Sequence, residues 1–370
     1  MCRILIIHPE GNIVNNLNLY GITELLVESG YLVDYWYHED KRIPKIEIPG
    51  VRFLSKTKGT FKELLNVQKH GEYALIIGID RGIIPAHEIA CMLNLPYGYI
   101  SYEIFFADET SRQYKAPEIA ACAETSFAVV QDNKRADLLA EENHISREKM
   151  VILPVGYRSG VCRVKKNIFL HDRLSIPHEK KICLLMGGVN APNGVDKLLV
   201  SINTCPDDWC LVLHDRYGEM IDLAPYAGAV RNKKLFQSQE QFTCVQDAEL
   251  ILASADVGFA FYCPQFTSKY NGKNIQYIGM ASGKIALFLQ HGIPVISNIT
   301  GEMAEFIGTH KVGEVIKYVS QVWDILPRQE WHSLSYNCVQ FFDAFLDLDK
   351  TSTSLLKQIK KITTSREIVS

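Results

Sequence analysis

Short apolar runs that alternate with amphipathic helical patterns are the feature that most constrains how this chain folds. In the first half, the runs occupy residues 3–7, 31–37, 74–79, 97–101, 127–131 and 150–154. In the second half, they occupy residues 181–186, 209–214, 233–237, 256–262, 294–297 and 313–318. Runs this uniformly apolar are typical of parallel strands covered by helices on both faces. The pattern therefore predicts an α/β protein with two doubly wound, Rossmann-like domains.

The length of the chain, 370 residues, exceeds the roughly 100 to 200 residues of one ordinary domain. A polar, basic stretch without a helical period lies near residues 158–180 and is the expected hinge. We expect an N-terminal domain over 1–160, a C-terminal domain over 161–340 and a helical segment over 341–370. That last segment is expected either to return to the N-terminal domain or to lie on a membrane face.

Composition narrows the classes of partner. The net charge is -3 and the pI is about 6.4, so we expect no recruitment of nucleic acid. The ten cysteines include no C-x-x-C pair, which predicts small buried thiols in a reducing compartment. The N-terminal apolar run has only four residues, too short for a signal peptide or a membrane span. We expect a cytoplasmic protein, and we leave open its association with the cytoplasmic face of a membrane and its homo-oligomerisation.

Residues 280–298, MASGKIALFLQHGIPVISN, have the pattern of an anion site. The unpaired N–H groups and partial positive charge of a helix N-terminus attract anions. Gly283 lets an anion approach the backbone, Ser282 is suited to cap the helix, and Lys284 adds a full charge. The alternative is that Lys284 is a solvated residue in the first turn of an ordinary helix.

Other candidate residues follow the predicted strands, because ligands of open α/β sheets bind beyond the carboxyl ends of strands. In the first half these residues are His8, Glu10, Gly11, Asn12, Asp80 and Glu103. In the second half they are Gly188 and Arg216. Three of them have an equally ordinary structural explanation: a plain turn for Gly11, a surface position for Arg216 and a satisfied loop carboxylate for Glu103.

Four segments together resemble the GT-B glycosyltransferases, especially the retaining family 4. They are RLSIPHEKKICLLMGGVNAPNGVDKLL (173–199), ILPVGYRSG (152–160), QHGIPVI (290–296) and EIAACAETSFAVVQDNKRADLL (118–139). The resemblance implies the GT-B fold, in which two Rossmann-like domains face an interdomain cleft. It also implies that the N-terminal domain binds an acceptor and the C-terminal domain binds a nucleotide sugar.

One feature of that family is missing. Many members carry two glutamates eight residues apart, and the later one binds the ribose of the nucleotide. The corresponding positions, counted back from Gly292, are Leu287 and Gly279. The chain is therefore similar to a divergent branch that lacks the paired glutamates and has a Ser-Gly-Lys sequence before the same helix.

The resemblance and the strand-end pattern together assign a donor site. Its expected residues are Gly11, Asn12, Gly188, Arg216, Phe242, Cys244, Glu249, Ser282, Gly283 and Lys284. The resemblance places the nucleotide base near Phe242 and Cys244, whereas Glu249 has the alternative of a first-turn charge favoured by the helix dipole. The aromatic-rich stretch 261–279 is expected to stack on a sugar or a nucleotide, or else to pack in the core.

Glu103 and Lys284 are the expected catalytic residues. Lys284 would stabilise the negative charge that grows on a departing nucleoside diphosphate, so we expect neither a metal nor another cofactor. Glu103 is the first choice of general base if the reaction inverts the anomeric centre. If the reaction retains the configuration, as the resemblance implies, the departing phosphate takes the proton of the acceptor.

The leading hypothesis is a metal-independent hexosyltransferase that moves a sugar from a nucleoside-diphosphate sugar, expected to be a UDP-sugar, to a hydroxyl acceptor. The acceptor is a glycan, a lipid-linked intermediate, a protein or a small metabolite, and the sequence does not choose among them. One alternative is a sugar-nucleotide 2-epimerase of the same fold, which turns over its substrate without an acceptor. The other is a non-catalytic homologue that serves as the partner subunit of an active enzyme.

Overall fold

The chain, described here by a computed structural model, divides into two compact units. Unit 1 comprises Met1–Arg158 and Leu348–Ser370, and unit 2 comprises Ser159–Asp347. The structure describes residues 2–9, 11, 13, 16–38, 47–55, 73–159, 165–216, 218–240 and 245–367. Within these ranges, each unit contains one parallel β-sheet whose strands alternate with helices.

The sheet of unit 1 has seven described strands. They are β1 (Arg3–His8), β2 (Leu32–Tyr37), β3 (Val51–Ser55), β4 (Tyr73–Ile79), β5 (Tyr97–Ile100), β6 (Ala128–Val130) and β7 (Met150–Ile152). Their order in the sheet is β3-β2-β1-β4-β5-β6-β7. Every residue of the central strand β4 is buried, which explains its uniformly apolar sequence. The strand order reverses between β1 and β4, and such a switch point is where open α/β sheets bind ligands.

Four helices lie between these strands in the described part of unit 1. They are α1 (Leu17–Glu28), α2 (Ile83–Leu93), α3 (Arg112–Cys122) and α4 (Asn133–Asn143). Local sequence sets their ends: the Asn16 side chain accepts the N–H of Leu19 and caps α1, and Asp132 caps α4 in the same way. Asn94 ends α2 in the left-handed conformation, which asparagine adopts more readily than most residues.

The sheet of unit 2 has six described strands. They are β8 (Lys181–Gly187), β9 (Trp209–Asp215), β10 (Leu235–Ser238), β11 (Val257–Ala260), β12 (Val295–Ser297) and β13 (Gly313–Val315). Their order is β10-β9-β8-β11-β12-β13, so the switch point lies between β8 and β11. Large aromatic side chains fill the core beside this sheet; Phe259 lies 5.9 Å from Trp323 between ring centroids.

Nine described helices belong to unit 2. They are α5 (Phe169–Leu174), α6 (Val195–Val200), α7 (Ala227–Arg231), α8 (Val245–Leu252), α9 (Lys273–Gln276), α10 (Gly283–Gln290), α11 (Glu302–Thr309), α12 (Val322–Ile325) and α13 (Ser335–Phe341). A π-helical stretch, Phe342–Leu346, extends α13. The helix that bears on the candidate site is α10, whose Ile285, Phe288 and Leu289 are buried.

Two C-terminal helices, α14 (Leu348–Thr351) and α15 (Thr353–Glu367), belong to unit 1. The N–H of Leu348 donates to the carbonyl of Tyr157 at 3.0 Å, where the chain returns to this unit. Leu355 and Ile359 are buried in the core of unit 1. The end of the chain is therefore part of the first folding unit.

The apolar runs of the sequence correspond to every described strand except β3. That strand, VRFLS, mixes polar and apolar residues at the edge of the described sheet, and only Leu54 is buried. Its Arg52 pairs with Asp34 of β2 at 2.6 Å. An edge strand held partly by an ion pair lacks the apolar signal that identifies the central strands.

Candidate active site

The helix α10 begins at the Ser-Gly-Lys sequence, as the anion-site pattern predicts. Ser282 is buried, and its Oγ accepts the N–H of Ile285 at 3.1 Å, so this side chain caps the helix. Gly283 and Lys284 form the first turn, where the helix has its partial positive charge. The N-terminus of α10 therefore has the cap, the glycine and the cation that are typical of helix ends that bind anions.

Lys284 is half-buried, and its side chain reaches the loop that follows β8. Its Nζ donates to Asn193 Oδ1 at 2.7 Å, and its Cε would lie 3.7 Å from a Cβ on Gly187. Burial, and then the positive charge of Arg216, lower the pKa of Lys284 to about 7. Because two neighbouring cations repel each other, this position favours a negatively charged ligand.

The loop after β8 carries Gly188 and is fixed from the neighbouring strand. Asp215, the last residue of β9, accepts the N–H of Val189 at 3.0 Å. A Cβ on Gly188 would crowd the Nδ2 atom of Asn190 at 2.8 Å. Arg216 directly follows Asp215 and is exposed, as the surface alternative predicts, and its positive charge contributes to the lowered pKa of Lys284.

Tyr262 and Asn298 support the same site; the sequence places Tyr262 in the aromatic-rich stretch 261–279 and gives no separate role to Asn298. The Asn298 side chain holds the Tyr262 backbone on both sides: Oδ1 accepts its N–H at 2.7 Å and Nδ2 donates to its carbonyl at 2.9 Å. The Tyr262 hydroxyl is hydrogen-bonded to Ser282 Oγ, and Lys284 Nζ lies 5.7 Å from the Tyr262 ring centroid. Tyr262 therefore positions two of the expected donor-site residues. The signal that could have found it is its place just after β11, at the switch point.

Three further donor-site residues of the second half were predicted: Phe242, Cys244 and Glu249. Phe242 and Cys244 lie outside the described residues, as do Asn12 and the candidate Glu10 in the first half. Glu249 is the fifth residue of α8, so the alternative that it is a first-turn charge is wrong. Its side chain is buried, and burial raises the pKa of its carboxyl group.

In unit 1, Asp80 and Glu103 come together at the carboxyl edge of the sheet. Asp80 follows β4 with a left-handed backbone, φ 48°, and its Oδ1 accepts the N–H groups of Tyr102 at 2.7 Å and Glu103 at 2.9 Å. Burial, and then the nearby carboxylate of Glu103, raise the pKa of Asp80 well above its ordinary range. Asp80 therefore holds the loop on which Glu103 lies.

Two side chains from the β6–α4 region hold the Glu103 loop from another side. Gln131 Nε2 donates to the carbonyl of Ser101 at 2.8 Å, and Arg135 Nη2 donates to the carbonyl of Tyr102 at 2.5 Å. Burial raises the pKa of Glu103 to about 7, and the positive charge of Arg135 opposes this shift only in part. A positioned carboxyl group with a pKa near neutral is suited to proton transfer or to orienting a hydroxyl group.

His8, at the end of β1, is packed into the same edge of unit 1. Its Nδ1 is hydrogen-bonded to the Tyr35 hydroxyl at 2.6 Å, and burial lowers its pKa to about 4, so the ring is neutral at pH 7. A Cβ on Gly11 would lie 2.2 Å from His8 Nε2. Glycine therefore lets the turn after β1 close against the imidazole.

Other features of the described residues bear on cofactors and membranes. Among them, no group of three or more His, Cys, Asp or Glu side chains is arranged to hold a metal ion. No described helix is long and apolar enough to cross a membrane. The described cysteines are buried as expected, with the exceptions of the exposed Cys91 and the partly exposed Cys2.

Comparison with known proteins gives a match in structure and not in sequence. No protein-family model and no curated protein sequence matches the chain. HepE from Anabaena, solved in complex with UDP, has a TM-score of 0.71 and 12% identity, covering 98% of this chain and 100% of that chain. Sucrose-phosphate synthase from Thermosynechococcus elongatus has a TM-score of 0.67 and 14% identity, covering 99% and 100%. WaaG, a glycosyltransferase involved in lipopolysaccharide biosynthesis, has a TM-score of 0.62 and 15% identity, covering 95% and 99%.

The chain has the GT-B fold. The fold expected from the sequence resemblance is thereby confirmed, with sheets of seven and six strands. At identities of 12 to 15% the likeness concerns the fold, and it transfers no residue's role to this chain.

Proposed function

We propose that this GT-B chain is a glycosyltransferase that moves a sugar from a UDP-sugar to a hydroxyl acceptor. The observation that carries the proposal is the N-terminus of α10, where Ser282 caps the helix and Lys284 Nζ reaches Asn193 in the loop after β8. A nucleoside diphosphate supplies the negative charge that this arrangement favours. UDP is chosen because HepE, a protein of the same fold, was solved with UDP and with UDP-glucose.

In this proposal, unit 2 binds the donor. The first-turn N–H groups at Ser282 and Gly283 face the diphosphate, and Lys284 exchanges its hydrogen bond with Asn193 for one with a phosphate oxygen. The diphosphate gains negative charge as the bond from the anomeric carbon to its oxygen breaks. Lys284 therefore stabilises the transition state more than the bound donor, without a resident metal ion.

Unit 1 binds the acceptor in this proposal. Glu103 accepts a hydrogen bond from the attacking hydroxyl and orients it. The bond from the anomeric carbon to the acceptor oxygen forms as the bond to the diphosphate breaks, and the hydroxyl proton passes to the leaving phosphate with retention of configuration. Proton NMR of the first-formed product measures that configuration. An inverted product would contradict retention and assign removal of the proton to Glu103.

The first test is thermal unfolding with UDP, GDP, dTDP, CMP, ADP and their common sugars. A ligand at 100 times its dissociation constant adds about 2.7 kcal/mol. For a unit of this size, each kcal/mol raises the midpoint by roughly 2 to 4 °C. We expect UDP to raise the midpoint of the wild-type protein, Lys284→Ala to lose the shift, and treatment with a chelator to leave it unchanged.

The matched control is Lys197→Ala, which removes an exposed lysine of α6 in the same unit. It should keep the shift, because a loss of net charge alone does not remove a built site. No shift with any nucleotide, in folded wild-type protein, would reject the transferase in favour of a non-catalytic partner subunit. Conversion of a UDP-sugar without an acceptor would favour the 2-epimerase.

A further inference from the structure

His8 is the last residue of β1 and lies beside the turn that begins with Asp80. That turn, Asp80–Gly82, packs against the end of β1: a Cβ on Gly82 would overlap the carbonyl oxygen of Ile7 and lie 3.1 Å from Pro9 Cδ. Ile7 and Pro9 are the two chain neighbours of His8. His8 is therefore at the same part of the carboxyl edge as the acidic residues of the candidate site.

The hydrogen bond between His8 and Tyr35 determines which ring nitrogen of His8 carries the proton. Tyr35 is fully buried, and burial raises the pKa of its hydroxyl well above the ordinary value, so the phenol keeps its proton. Among the described residues, His8 Nδ1 is the one hydrogen-bond partner of this hydroxyl, at 2.6 Å. A buried O–H group without an acceptor is unfavourable, so Tyr35 donates to Nδ1. The neutral ring then carries its single proton on Nε2.

The Nε2–H group of His8 is left uncovered. No described residue forms a hydrogen bond with Nε2, and this atom is not among the polar atoms that are sealed from solvent without a partner in the described part of the chain. His8 is only 8% exposed, so packing holds the rest of the imidazole in place. A Cβ on Gly11 would overlap Nε2 and Cε1, so a residue with a side chain there would cover the nitrogen. Glycine at this position leaves a fixed hydrogen-bond donor accessible.

A second histidine–tyrosine pair in unit 1 shows that such a contact does not always give this tautomer. The Tyr97 hydroxyl donates to the carbonyl of Ala121 at 2.9 Å and therefore accepts from His87 Nδ1, at 3.0 Å. His87 Nδ1 thus carries a proton. Tyr97 is the first residue of β5, so this pair lies at the amino edge of the sheet, away from the candidate site. His8 differs because its tyrosine has no described acceptor besides the ring.

The surroundings of His8 favour a ligand without charge. The imidazole supplies a hydrogen bond but no positive charge, because burial lowers its pKa to about 4. A phosphate or carboxylate at Nε2 would lose water near the carboxyl groups of Asp80 and Glu103, which is unfavourable. A hydroxyl or ether oxygen accepts the same hydrogen bond without bringing a charge.

We propose that His8 binds the acceptor substrate through a hydrogen bond from its Nε2–H group to a neutral oxygen, while Glu103 orients the attacking hydroxyl. This inference rests on the proposed transferase function. It narrows the acceptor substrate to a molecule with a second neutral oxygen besides the attacking one, such as a saccharide or another polyol. His8 is not the base in this arrangement, since the nitrogen that faces the substrate already carries a proton. Tyr35 acts through His8 and is a positioning residue.

The kinetic experiment compares Tyr35→Phe with the double variant His8→Phe/Tyr35→Phe. The single variant keeps the imidazole, and the double variant removes it without leaving a buried hydroxyl unpaired. With UDP-glucose as the donor and glucose, maltose and lactose as acceptors, the double variant should raise the acceptor KM by roughly fivefold over the single variant. The donor KM should change by less than about twofold. An acceptor KM that is equal in the two variants would overturn the inference.

Glucuronic acid tests whether the bound oxygen is neutral, because this sugar differs from glucose by a carboxylate in place of a hydroxymethyl group. With the wild type, glucuronic acid should have the lower kcat/KM of the two sugars. A preference for glucuronic acid would overturn the assignment of His8 to a neutral oxygen.

Long-range proton–nitrogen NMR of protein labelled with nitrogen-15 in histidine measures the tautomer directly, whether or not transfer occurs. The signals of His8 and His87 are those that disappear when each is replaced by phenylalanine. At about pH 8, we expect the proton of His8 on Nε2 and the proton of His87 on Nδ1. A proton on Nδ1 of His8 would overturn the inference, because the open nitrogen would then be an acceptor.

The control is the same pair of changes at the amino edge, Tyr97→Phe and His87→Phe/Tyr97→Phe. These variants remove a comparable histidine–tyrosine contact from the same unit. The acceptor KM should be equal in the two control variants. A rise as large as that expected at His8 would attribute the effect to lost stability and overturn the binding role.

Failure of this inference is distinguishable from failure of the transferase proposal. Transfer by the wild type, with equal acceptor KM values in the two Tyr35 variants, rejects the role of His8 and leaves the transferase intact. If the wild type transfers to none of the sugars, the same NMR spectra recorded with glucose, maltose and lactose decide. A shift of the His8 Nε2–H signal with any of these sugars supports the inference, and no shift with all three rejects it.

Discussion

The carboxyl edges of the two sheets are built alike, but one carries acidic side chains and the other carries basic side chains. In unit 1, Asp80 and Glu103 follow β4 and β5; in unit 2, Lys284 and Arg216 lie near the ends of β8 and β9. Burial favours the neutral forms of Glu103 and Lys284. It raises the pKa of Glu103 to about 7 and lowers that of Lys284 to about 7. The shared topology fixes where polar groups gather, and the residue types placed there fix whether the site is acidic or basic.

The two edges also differ in how their charged groups are held. The Asp80 carboxylate accepts two backbone N–H groups and so stabilises the loop as well as carrying charge. Lys284 has a neutral side-chain partner, Asn193, that a phosphate oxygen can replace. We therefore expect variants of Asp80 and Glu103 to change both the stability and the activity of the protein. Variants of Lys284 and its neighbours should change mainly the affinity for the donor.

The largest expected effect is that of Glu103→Gln. The neutral amide is a weaker acceptor than a carboxylate for the hydrogen bond that orients the attacking hydroxyl, so kcat/KM should fall by about 100-fold, measured with the best donor and acceptor. The same change should stabilise the protein. A carboxyl group whose folded pKa is raised costs stability progressively from about pH 4.5 to pH 7, and the cost persists above pH 7. The variant should be more stable at pH 8 by about 1 to 3 kcal/mol in urea unfolding.

Glu88→Gln is the matched control for this change, since Glu88 is an exposed carboxylate on α2 in the same unit. Its kcat/KM and its stability at pH 8 should stay at the wild-type values. Full activity in Glu103→Gln would show that Glu103 takes no part in the reaction. Unchanged stability at pH 8 would show that its carboxyl group has an ordinary pKa.

The next effect separates charge from hydrogen bonding at Asp80. Asp80→Ala leaves two N–H groups without their acceptor and places alanine in the left-handed region, so it should destabilise the protein by about 2 to 4 kcal/mol in urea unfolding. Asp80→Asn keeps an oxygen acceptor and tolerates the same backbone. Because its amide oxygen can accept the same two N–H groups, asparagine should cost less than about 1 kcal/mol. Equal losses for the two variants would show that the negative charge matters and not the hydrogen bonds.

Much of the fold and part of the candidate site could be predicted from the sequence, for identifiable physical reasons. Buried parallel strands impose continuous apolar runs, so two doubly wound domains could be predicted without a structure, and the family resemblance of four segments added the GT-B fold. Ser282 to Lys284 combine a cap, a glycine and a cation within one turn. Strand β3 was not accessible, because an edge strand needs no apolar run.

The side chains that support the site, Asn193 and Asn298, could also not be predicted from the sequence. Asn193 lies 91 residues before Lys284, whose side chain it contacts, and Asn298 lies 36 residues after Tyr262, whose backbone it holds. Such contacts depend on which loops the sheet order brings together, and no local pattern encodes them. Glu249 shows the related limit for helix ends, since α8 begins earlier than its apolar pattern indicates.

A smaller effect concerns the protonation of Lys284. If its pKa is about 7 in the free protein, UDP binding takes up a proton above that pH, and affinity falls as pH rises. Between pH 6.5 and 8.5, the dissociation constant from calorimetry should rise by roughly 25-fold for the wild type. It should rise by less than about threefold for Lys284→Arg, because arginine stays charged over this range. Parallel profiles for the two proteins would mean that Lys284 keeps its charge throughout.

The smallest expected effect tests the hydrogen bond between Tyr262 and Ser282 at the N-terminus of α10. Tyr262→Phe removes only the hydroxyl group that contacts Ser282, while Ser282 still caps α10 through Ile285. A neutral hydrogen bond of this kind contributes about 0.5 to 1.5 kcal/mol, so UDP affinity by calorimetry at pH 7 should weaken by roughly two- to tenfold. Combined with Ser282→Ala, the tyrosine change should add almost nothing, since both variants remove the same bond. A full additional loss in the double variant would place the role of Tyr262 in its contact with Lys284 instead.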